Sequence, residues 1–485
     1  MHTGHESAPS KRPFLASDAH AAADGYALRN LFANEGKVKQ LTGASILLAG
    51  LSLMIFATWT ESAMAQNASA ETLMLTLTEA VDMALKQNLD IQVANLEAAS
   101  KQQDRAIARS ELLPHGAFDA SDAVTRYNTK ATLGVQPAII PHDVGPYQAI
   151  HVGSGFSTPI FDLTLIRQYQ ESGHRLLAAR ADEQTVREET VLLAVSEYMA
   201  HLRALASIIA AQSRVELASR LAHQANDLLT DGVASEIDVS RAQVRLREEQ
   251  QQLIDAQRDA ETTLNALKRI LNLHDSQEIG FPDQQRFFST LPLDISDPLS
   301  VAFKQRPELH SLSASVKVAE LAHRAEVAKS LPKVAFEGRW NEQGETFTTL
   351  TPGYEYLVGV RIPIFTGGRL NAERKRTALV AQQAQRRLDQ ERNRVTEQVR
   401  DGQVELQAAL HQVELGRQQV QLASEQVSLS EGRFKSGVTD NIEVTAAQDS
   451  LARANDAEIG ALFRYNIARA QLARAVGSEE QTYSH

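Results

Sequence analysis

Leu75–Phe118 reads LTLTEAVDMALKQNLDIQVANLEAASKQQDRAIARSELLPHGAF, and Leu293–Phe336 reads LDISDPLSVAFKQRPELHSLSASVKVAELAHRAEVAKSLPKVAF. The two align without a gap at a constant offset of 218. Leu75, Leu77, Glu79, Ala84, Asp90, Pro114 and Phe118 fall on Leu293, Ile295, Asp297, Ala302, Glu308, Pro332 and Phe336. A second match follows. Pro159-Ile160-Phe161 recurs as Pro363-Ile364-Phe365, and Gly232-Val233, Ile237, Asp238, Val239 and Gln243 recur as Gly437-Val438, Ile442, Glu443, Val444 and Gln448, now at an offset of 204 to 205. The chain is therefore two copies of one unit. The piece between Pro114 and Pro159 is 14 residues longer than its partner between Pro332 and Pro363, and length varies most easily in a surface loop.

Each unit reads as helix, strand pair, long helix, tight turn, long helix. In the second unit Val334, Phe336, Gly338 and Trp340 alternate with Ala335, Glu337, Arg339 and Asn341, and Tyr354, Tyr356, Val358, Val360 and Ile362 alternate with Glu355, Leu357, Gly359 and Arg361. Alternation at a period of two marks strands with one apolar and one polar face. In the first unit Ile150–Thr158 alternates similarly, and Ala117–Tyr127 is a weaker strand carrying Asp119, Asp122 and Arg126. Strands of about 9 to 11 residues cross a bilayer when tilted. Four strands cannot close a barrel around a lumen, and lipid does not tolerate an open sheet edge, so several copies must share one barrel. The alternative is two solvent-facing hairpins on a helical protein. Glu355 and Arg361 face the lumen if Tyr354 and Tyr356 face lipid; a one-residue slip in register reverses this.

After each strand pair the chain runs for long proline-free stretches rich in Ala, Gln, Glu, Arg and Leu. Val413, Val420 and Val427 form one heptad stripe, and Leu415, Leu422 and Leu429 a second, about 200° further round the helix. Opposite stripes suit a helix in a cylinder wall, which touches a neighbour on each side; an ordinary bundle or rod would bury the same residues as core. The first unit is expected to echo this with Ile208, Val215 and Ala222 beside Ala210 and Leu217. Each long helix ends in a small turn, Asp231 to Ser235 and Ser436 to Asp440, in which Gly232 and Gly437 supply the left-handed backbone. Ser235 and Asp440 suit the N-cap of the next helix, with Asp238 and Glu443 three positions on, where the helix dipole favours negative charge.

The 485 residues carry 60 acidic against 49 basic side chains, a formal net charge of −11, and no cysteine. A nucleic-acid binder is more often basic. Without cysteine there is no disulfide, thiol nucleophile, Cys-based zinc site or lipidated N-terminal cysteine. Ile46–Trp59 is apolar and too short to span a bilayer as a helix; with Lys37 and Lys39 before it and Ala63-Met64-Ala65 after it, it reads as a signal peptide cleaved before Gln66. No later segment is expected to be a spanning helix. The domains expected are an extended n-region and signal peptide (1–65), a first repeat (66–290; strand pair about 117–160, helical hairpin about 164–273), a second repeat (291–477; strand pair about 333–365, hairpin about 367–476) and a short tail (478–485). There is no phosphate-cradling glycine loop, HExxH or GxSxG, and the 14 histidines lack metal-ligand spacing. His201, His223 and His411 read as surface or packing residues. Neither enzyme activity nor a cofactor is expected.

These residues resemble the TolC-type outer-membrane efflux protein family, the outer membrane factors, over Leu75 to Gly477. The resemblance is carried by the opening Leu75-Thr-Leu-Thr-Glu-Ala-Val with Ala84-Leu85 and Asn88, by Gln305-Arg306-Pro307-Glu308-Leu309, and by the strand-ending Pro159-Ile-Phe and Pro363-Ile-Phe-Thr-Gly-Gly368. The turn Arg433-Phe434-Lys435-Ser436-Gly437 and the closing Tyr465 to Leu472 with Gly477 complete it. It implies a mainly α chain with β: a homotrimer whose long coiled-coil helices form a periplasmic α-barrel, and whose protomers each give four strands to one 12-stranded barrel in outer-membrane lipid. It further implies a passive exit duct of an efflux pump or type I secretion system, with a periplasmic adaptor and an inner-membrane pump as partners and no nucleic acid. Glu443 matches a family position that rings the closed aperture and Asp238 its first-unit counterpart, making Gly232, Asp238, Gly437, Asp440 and Glu443 the expected tip and gate. Ala446 stands where some members carry a second acid. Converging carboxylates would attract cations. The competing reading is an exported coiled-coil scaffold or periplasmic adaptor without a pore; an adaptor carries one helical hairpin between compact β-modules, whereas this chain has two matched units.

Overall fold

The computed structural model describes residues 72–135, 138–290, 295–436, 438–439 and 441–484. The expected signal peptide, Leu293, Gly437 and Asp440 lie outside them.

Thr76 opens the first helix, α1 (Leu77–Gln87), with a capping box: its amide donates to the Glu79 carboxylate at 2.8 Å and its hydroxyl accepts the Glu79 amide at 3.3 Å. Leu77, Ala80, Val81 and Ala84 form the buried stripe of α1. Asn88 ends α1 and caps α2 (Leu89–Ser110), accepting the Asp90 and Ile91 amides while its own amide donates to the Ile270 carbonyl at 3.0 Å. Strands β1 (His115–Asn128) and β2 (Asp143–Phe161) follow, then α3 (Leu163–Thr230, 68 residues) and α4 (Glu236–Ile270). The second unit repeats this series as α5 (Pro298–Gln305), α6 (Pro307–Ala328), β3 (Lys333–Gly344), β4 (Thr351–Arg361), α7 (Arg369–Lys435, 67 residues) and α8 (Asn441–Val476). A one-turn helix α9 (Glu479–Tyr483) ends the described chain. The extra length of the first unit lies in longer strands of 14 and 19 residues, against 12 and 11, and in a loop that winds a short helix over Thr129–Leu133.

These four strands form an antiparallel sheet in the order β1-β2-β3-β4, which leaves β1 and β4 as edges, and Leu73–Met74 pairs separately in parallel with Ile279–Gly280. Ser154 pairs with Phe118 and Trp340, Trp340 with Tyr354, Phe336 with Val358 and Gly338 with Tyr356. Cross-strand partners share a face, so Phe118, Phe156, Phe336, Trp340, Tyr354, Tyr356, Val358 and Val360 lie together, with Phe156 edge-on to Phe336 at 5.4 Å. The opposite face carries His115, Asp119, His151, Glu337, Arg339, Glu355 and Arg361, where Arg339 pairs with Glu355 and Lys333 with Arg361.

The main core lies beside the middle of α3. Val191, Val195, Tyr198 and Leu202 meet Leu75 just before α1, Leu77 and Val81 from α1, Leu267 and Ile270 from α4, Phe287, and Leu462 and Tyr465 from α8. The Tyr198 hydroxyl donates to the Leu75 carbonyl at 2.9 Å. A stretch of α3 is long and apolar enough to cross a membrane, contrary to the expectation of none after the leader. Val191, Ala194, Val195, Tyr198, Met199 and Leu202 of this helix belong to the core, so packing accounts for part of its hydropathy, while Leu193 and Ile209 stay exposed. His201 on α3 packs 4.4 Å from the Phe281 ring, and burial lowers its pKa to about 4. A smaller core joins Ala302, Leu309 and Val316 to Leu388, Val395, Val399, Leu472 and Val476.

The α7 stripes divide as two seams would. Val413 and Val427 are buried against the chain's own helices, while Leu415, Leu422 and Leu429 stand 59%, 65% and 70% exposed. In the first unit the expected stripe is displaced. The buried heptad is Ala204, Ala211, Ala218 and Ala225, and Ile208, Val215 and Ala222 are only half-buried. Small side chains let helices approach closely, as at Gly416, where an added Cβ would lie 3.2 Å from the Glu458 Cα.

Glu188 caps α9 by accepting the Glu479 and Glu480 amides at 3.2 and 3.4 Å. Glu479 itself is fully buried with neither carboxyl oxygen hydrogen-bonded among the described residues, and burial, reinforced by the Glu188 charge, pushes it up to about 9. Unfolded, it ionises at its ordinary 4.5; between the two values the native state holds the extra proton, so stability falls as pH rises. Glu479→Gln is therefore expected to raise the melting temperature at about pH 8 and leave it unchanged at about pH 4, where both states hold the proton. Equal effects at both values would contradict this.

Candidate functional site

At the far end of α3 from the sheet, Asp231 closes the helix and Gly232 turns at φ +72°, which lets the Val233 and Ala234 amides fold back onto the Leu228 carbonyl at 2.8 and 3.0 Å. Ser235 then starts α4. The Asp238 carboxylate accepts the Ser235 amide at 3.1 Å and its hydroxyl at 2.5 Å, and these bonds, hydroxyl first, hold it below the usual carboxylate range. The second turn follows the same plan. The Val438 amide donates to the Arg433 carbonyl at 3.0 Å, and Glu443, in the first turn of α8, accepts from the Thr439 hydroxyl at 2.6 Å and from Arg433 at 3.1 Å. Asp238 and Glu443 thus sit at matching points of the two turns, each already engaged by neighbours on its own hairpin. Leu221 of α3 packs with Phe434 and Val444 of the second hairpin.

Above the turns lies a network not foreseen in the sequence. Arg214 of α3 binds Glu249 of α4 at 3.1 Å and Asp456 of α8 at 3.2 Å; Arg245 of α4 binds Glu249 at 2.7 Å and Asp449 of α8 at 2.5 Å. Two arginines of the first hairpin therefore hold two aspartates of α8 around one buried glutamate. The available signals were Asp449 and Asp456, one heptad apart, and the i,i+4 pair Arg245 and Glu249. Glu355 and Arg361 lie on the polar sheet face, opposite Tyr354 and Tyr356, and far along the chain's long axis from the turns. No group of three or more His, Asp or Glu among the described residues is placed to hold a metal ion.

An edge-open sheet with one apolar face, continuous with paired 67- and 68-residue helices and built twice over, is the architecture of an outer-membrane channel protomer. The outer membrane efflux protein model matches residues 80–273 and 299–478, and the chain belongs to that family. Solved channels share the fold at low identity. The Campylobacter jejuni CmeC outer membrane channel is 19% identical, with a TM-score of 0.73 over 83% of this chain and 86% of that one. The open-state Neisseria gonorrhoeae MtrE outer membrane channel is 19% identical, with 0.70 over 86% and 94%. The Vibrio cholerae outer membrane protein VceC is 16% identical, with 0.70 over 83% and 96%. No curated protein sequence gives a significant match.

Proposed function

We propose that this chain is the passive outer-membrane exit duct of a tripartite efflux pump or type I secretion system. Three copies share one 12-stranded barrel, the helices stand in the periplasm, and the helical turns meet the periplasmic adaptor and inner-membrane pump. The observation that carries this reading is the sheet: both edges are unpaired and one face is aromatic and aliphatic, and neither is tolerable unless neighbouring copies supply strands and lipid covers the face. In this arrangement Glu355 and Arg361 line the lumen, and Gly232, Asp238, Gly437, Asp440 and Glu443 belong to the tip. Nothing in the transport step requires bond chemistry; the duct supplies a polar path, and partner contact at the turns opens it.

Arg214 and Arg245 act as the lock of the closed state by tying the first hairpin to α8. The two-armed contact of Arg245 is half-shielded from water, where charge-assisted bonds are worth about 1.5–3 kcal/mol each. Arg245→Ala is expected to raise resting conductance in planar bilayers several-fold; an unchanged conductance would remove the lock from the mechanism. The reading as a whole is tested by the native mass of protein extracted by detergent from the outer-membrane fraction. A trimer supports it, and a soluble monomer or dimer overturns it in favour of a scaffold without a pore.

A further inference from the structure

The four junctions between the sheet and α2, α3, α6 and α7 lie at one end of the sheet, because α2 leads into β1, β2 into α3, α6 into β3, and β4 into α7. Cross-links hold these junctions side by side. Arg105 of α2 lies over the Tyr169 ring of α3 at 5.4 Å, Lys333 of β3 binds the α3 cap Asp162 at 2.8 Å, and Arg374 of α7 donates to the Val327 carbonyl of α6 at 3.4 Å.

The charge in this zone opposes that of the chain. Residues 101–111, 162–175, 324–333 and 369–376 carry twelve Lys and Arg against six Asp and Glu, in a protein whose formal net charge is −11. Five of the six acids are taken by local ion pairs: Asp104 by Lys101, Asp162 by Lys333, Glu171 by Arg175, Glu326 by Lys329 and Glu373 by Arg369. Arg109, Arg324, Lys375 and Arg376 are exposed and have no ion-pair partner among the described residues. Directly beside them, between sheet and cations, exposed apolar side chains cluster: Ile364 is 96% and Phe365 89% exposed, with Ile160, Phe161 and Ile362 about half so. An apolar band bordered by cations on flexible stems is how a protein surface meets a charged bilayer interface, the stems lying along acyl chains and the charges among headgroup phosphates.

We infer that the first turns of helix below the sheet form a basic collar that binds anionic phospholipid headgroups of the adjoining leaflet, with Ile364 and Phe365 seated just above them in the acyl region. The inference rests on the channel reading, which makes the aromatic sheet face the lipid-contacting one. The collar spans roughly 15 Å along the helices, about ten residues at 1.5 Å each, a depth that headgroups and their counterion layer can fill. Each cation near an anionic surface contributes about 1 kcal/mol, a factor of roughly five in binding, so four together exceed what zwitterionic lipid would give.

The test uses the exported chain from Gln66 onward, whose only tryptophan is Trp340, transferred from detergent into phosphatidylcholine vesicles with or without phosphatidylglycerol. Trp340 emission reports insertion of the sheet, and flotation reports the bound fraction. Phosphatidylglycerol is expected to raise partitioning at least about tenfold, the gain disappearing at high salt and in the variant Arg109→Gln/Arg324→Gln/Lys375→Gln/Arg376→Gln. If Trp340 inserts equally well with and without phosphatidylglycerol, or the variant keeps the full gain, the collar is wrong and the channel reading stands. If Trp340 stays in water with every vesicle, both fail. If the variant loses its trimer in detergent alone, or changes ion selectivity with unaltered partitioning, the cations serve contacts between copies or line the lumen, and the lipid assignment is overturned.

Discussion

Leu422→Glu together with Leu429→Glu is expected to convert the assembled protein to monomers with nearly unchanged helix content. Both residues lie on the outward stripe of α7, at 65% and 70% exposure in the single chain, and touch nothing that α8 needs. The seam between α7 and α8 uses Val413, Gly416, Ala423 and Val427 instead. Burying a leucine contributes about 1.5–3 kcal/mol, and replacing it by glutamate adds the cost of desolvating a charge. In the proposed trimer two such changes fall at each of three interfaces, more than a marginal assembly tolerates. Val427→Glu, on the inward stripe, is the contrasting control and should unfold the hairpin itself. Native mass spectrometry with circular dichroism separates the two; a double variant that stays trimeric would show that α7 turns its second stripe to something other than a neighbouring copy.

Glu308→Ala should produce a large loss of stability beside the smaller core. Glu308 opens α6 between two buried guanidiniums: Arg474 of α8 donates to it closely, and Arg306 lies 3.3 Å away while also donating to Gln398 of α7. Removing the acid takes the only carboxylate Arg306 pairs with among the described residues and leaves Arg474 with Glu189 at 3.6 Å, two buried like charges side by side, a defect worth about 3–5 kcal/mol. Burial pushes the Glu308 carboxyl up, but the Arg474 hydrogen bond and charge, with Arg306, outweigh it and hold the group below its ordinary value. The stabilisation is present above that ordinary value and is lost as pH falls through the lowered one, so the wild type should show an acid transition that Glu308→Ala lacks. Chemical denaturation of each at neutral and acid pH measures both; equal midpoints at neutral pH would refute the assignment.

The duplication, the four strands, the register-dependent faces and the long hairpins were legible because they rest on strong local signals: a fixed offset, period-two alternation, and glycine at the turns. The heptads of α7 were legible because valine and leucine stand out among Gln and Glu. Those of α3 are not, because its seam is Ala204, Ala211, Ala218 and Ala225 in an alanine-rich segment, where the bulkier, half-buried Ile208 and Val215 carry the stronger periodic signal. The arginine–aspartate network joins residues up to 242 positions apart, and no periodicity encodes which distant helix an exposed-looking Arg214 will meet. Turn chemistry marks Asp238 and Glu443 as helix-capping acids and only the family resemblance implies a place for them at a gate; in the structure each carboxylate is bonded within its own hairpin.

Tyr198 stands close to halfway along Leu163–Thr230, so the main core grips α3 near its centre. A helix of that length is about 100 Å end to end, and each half is an arm of roughly 50 Å about a fixed fulcrum. Tilting the lower arm by a few degrees sweeps its end through about 3–4 Å by simple leverage over that length, while the fulcrum hardly moves. If the turns open as proposed, slight bending beside Tyr198 is enough to displace them by that distance while the core residues keep their contacts.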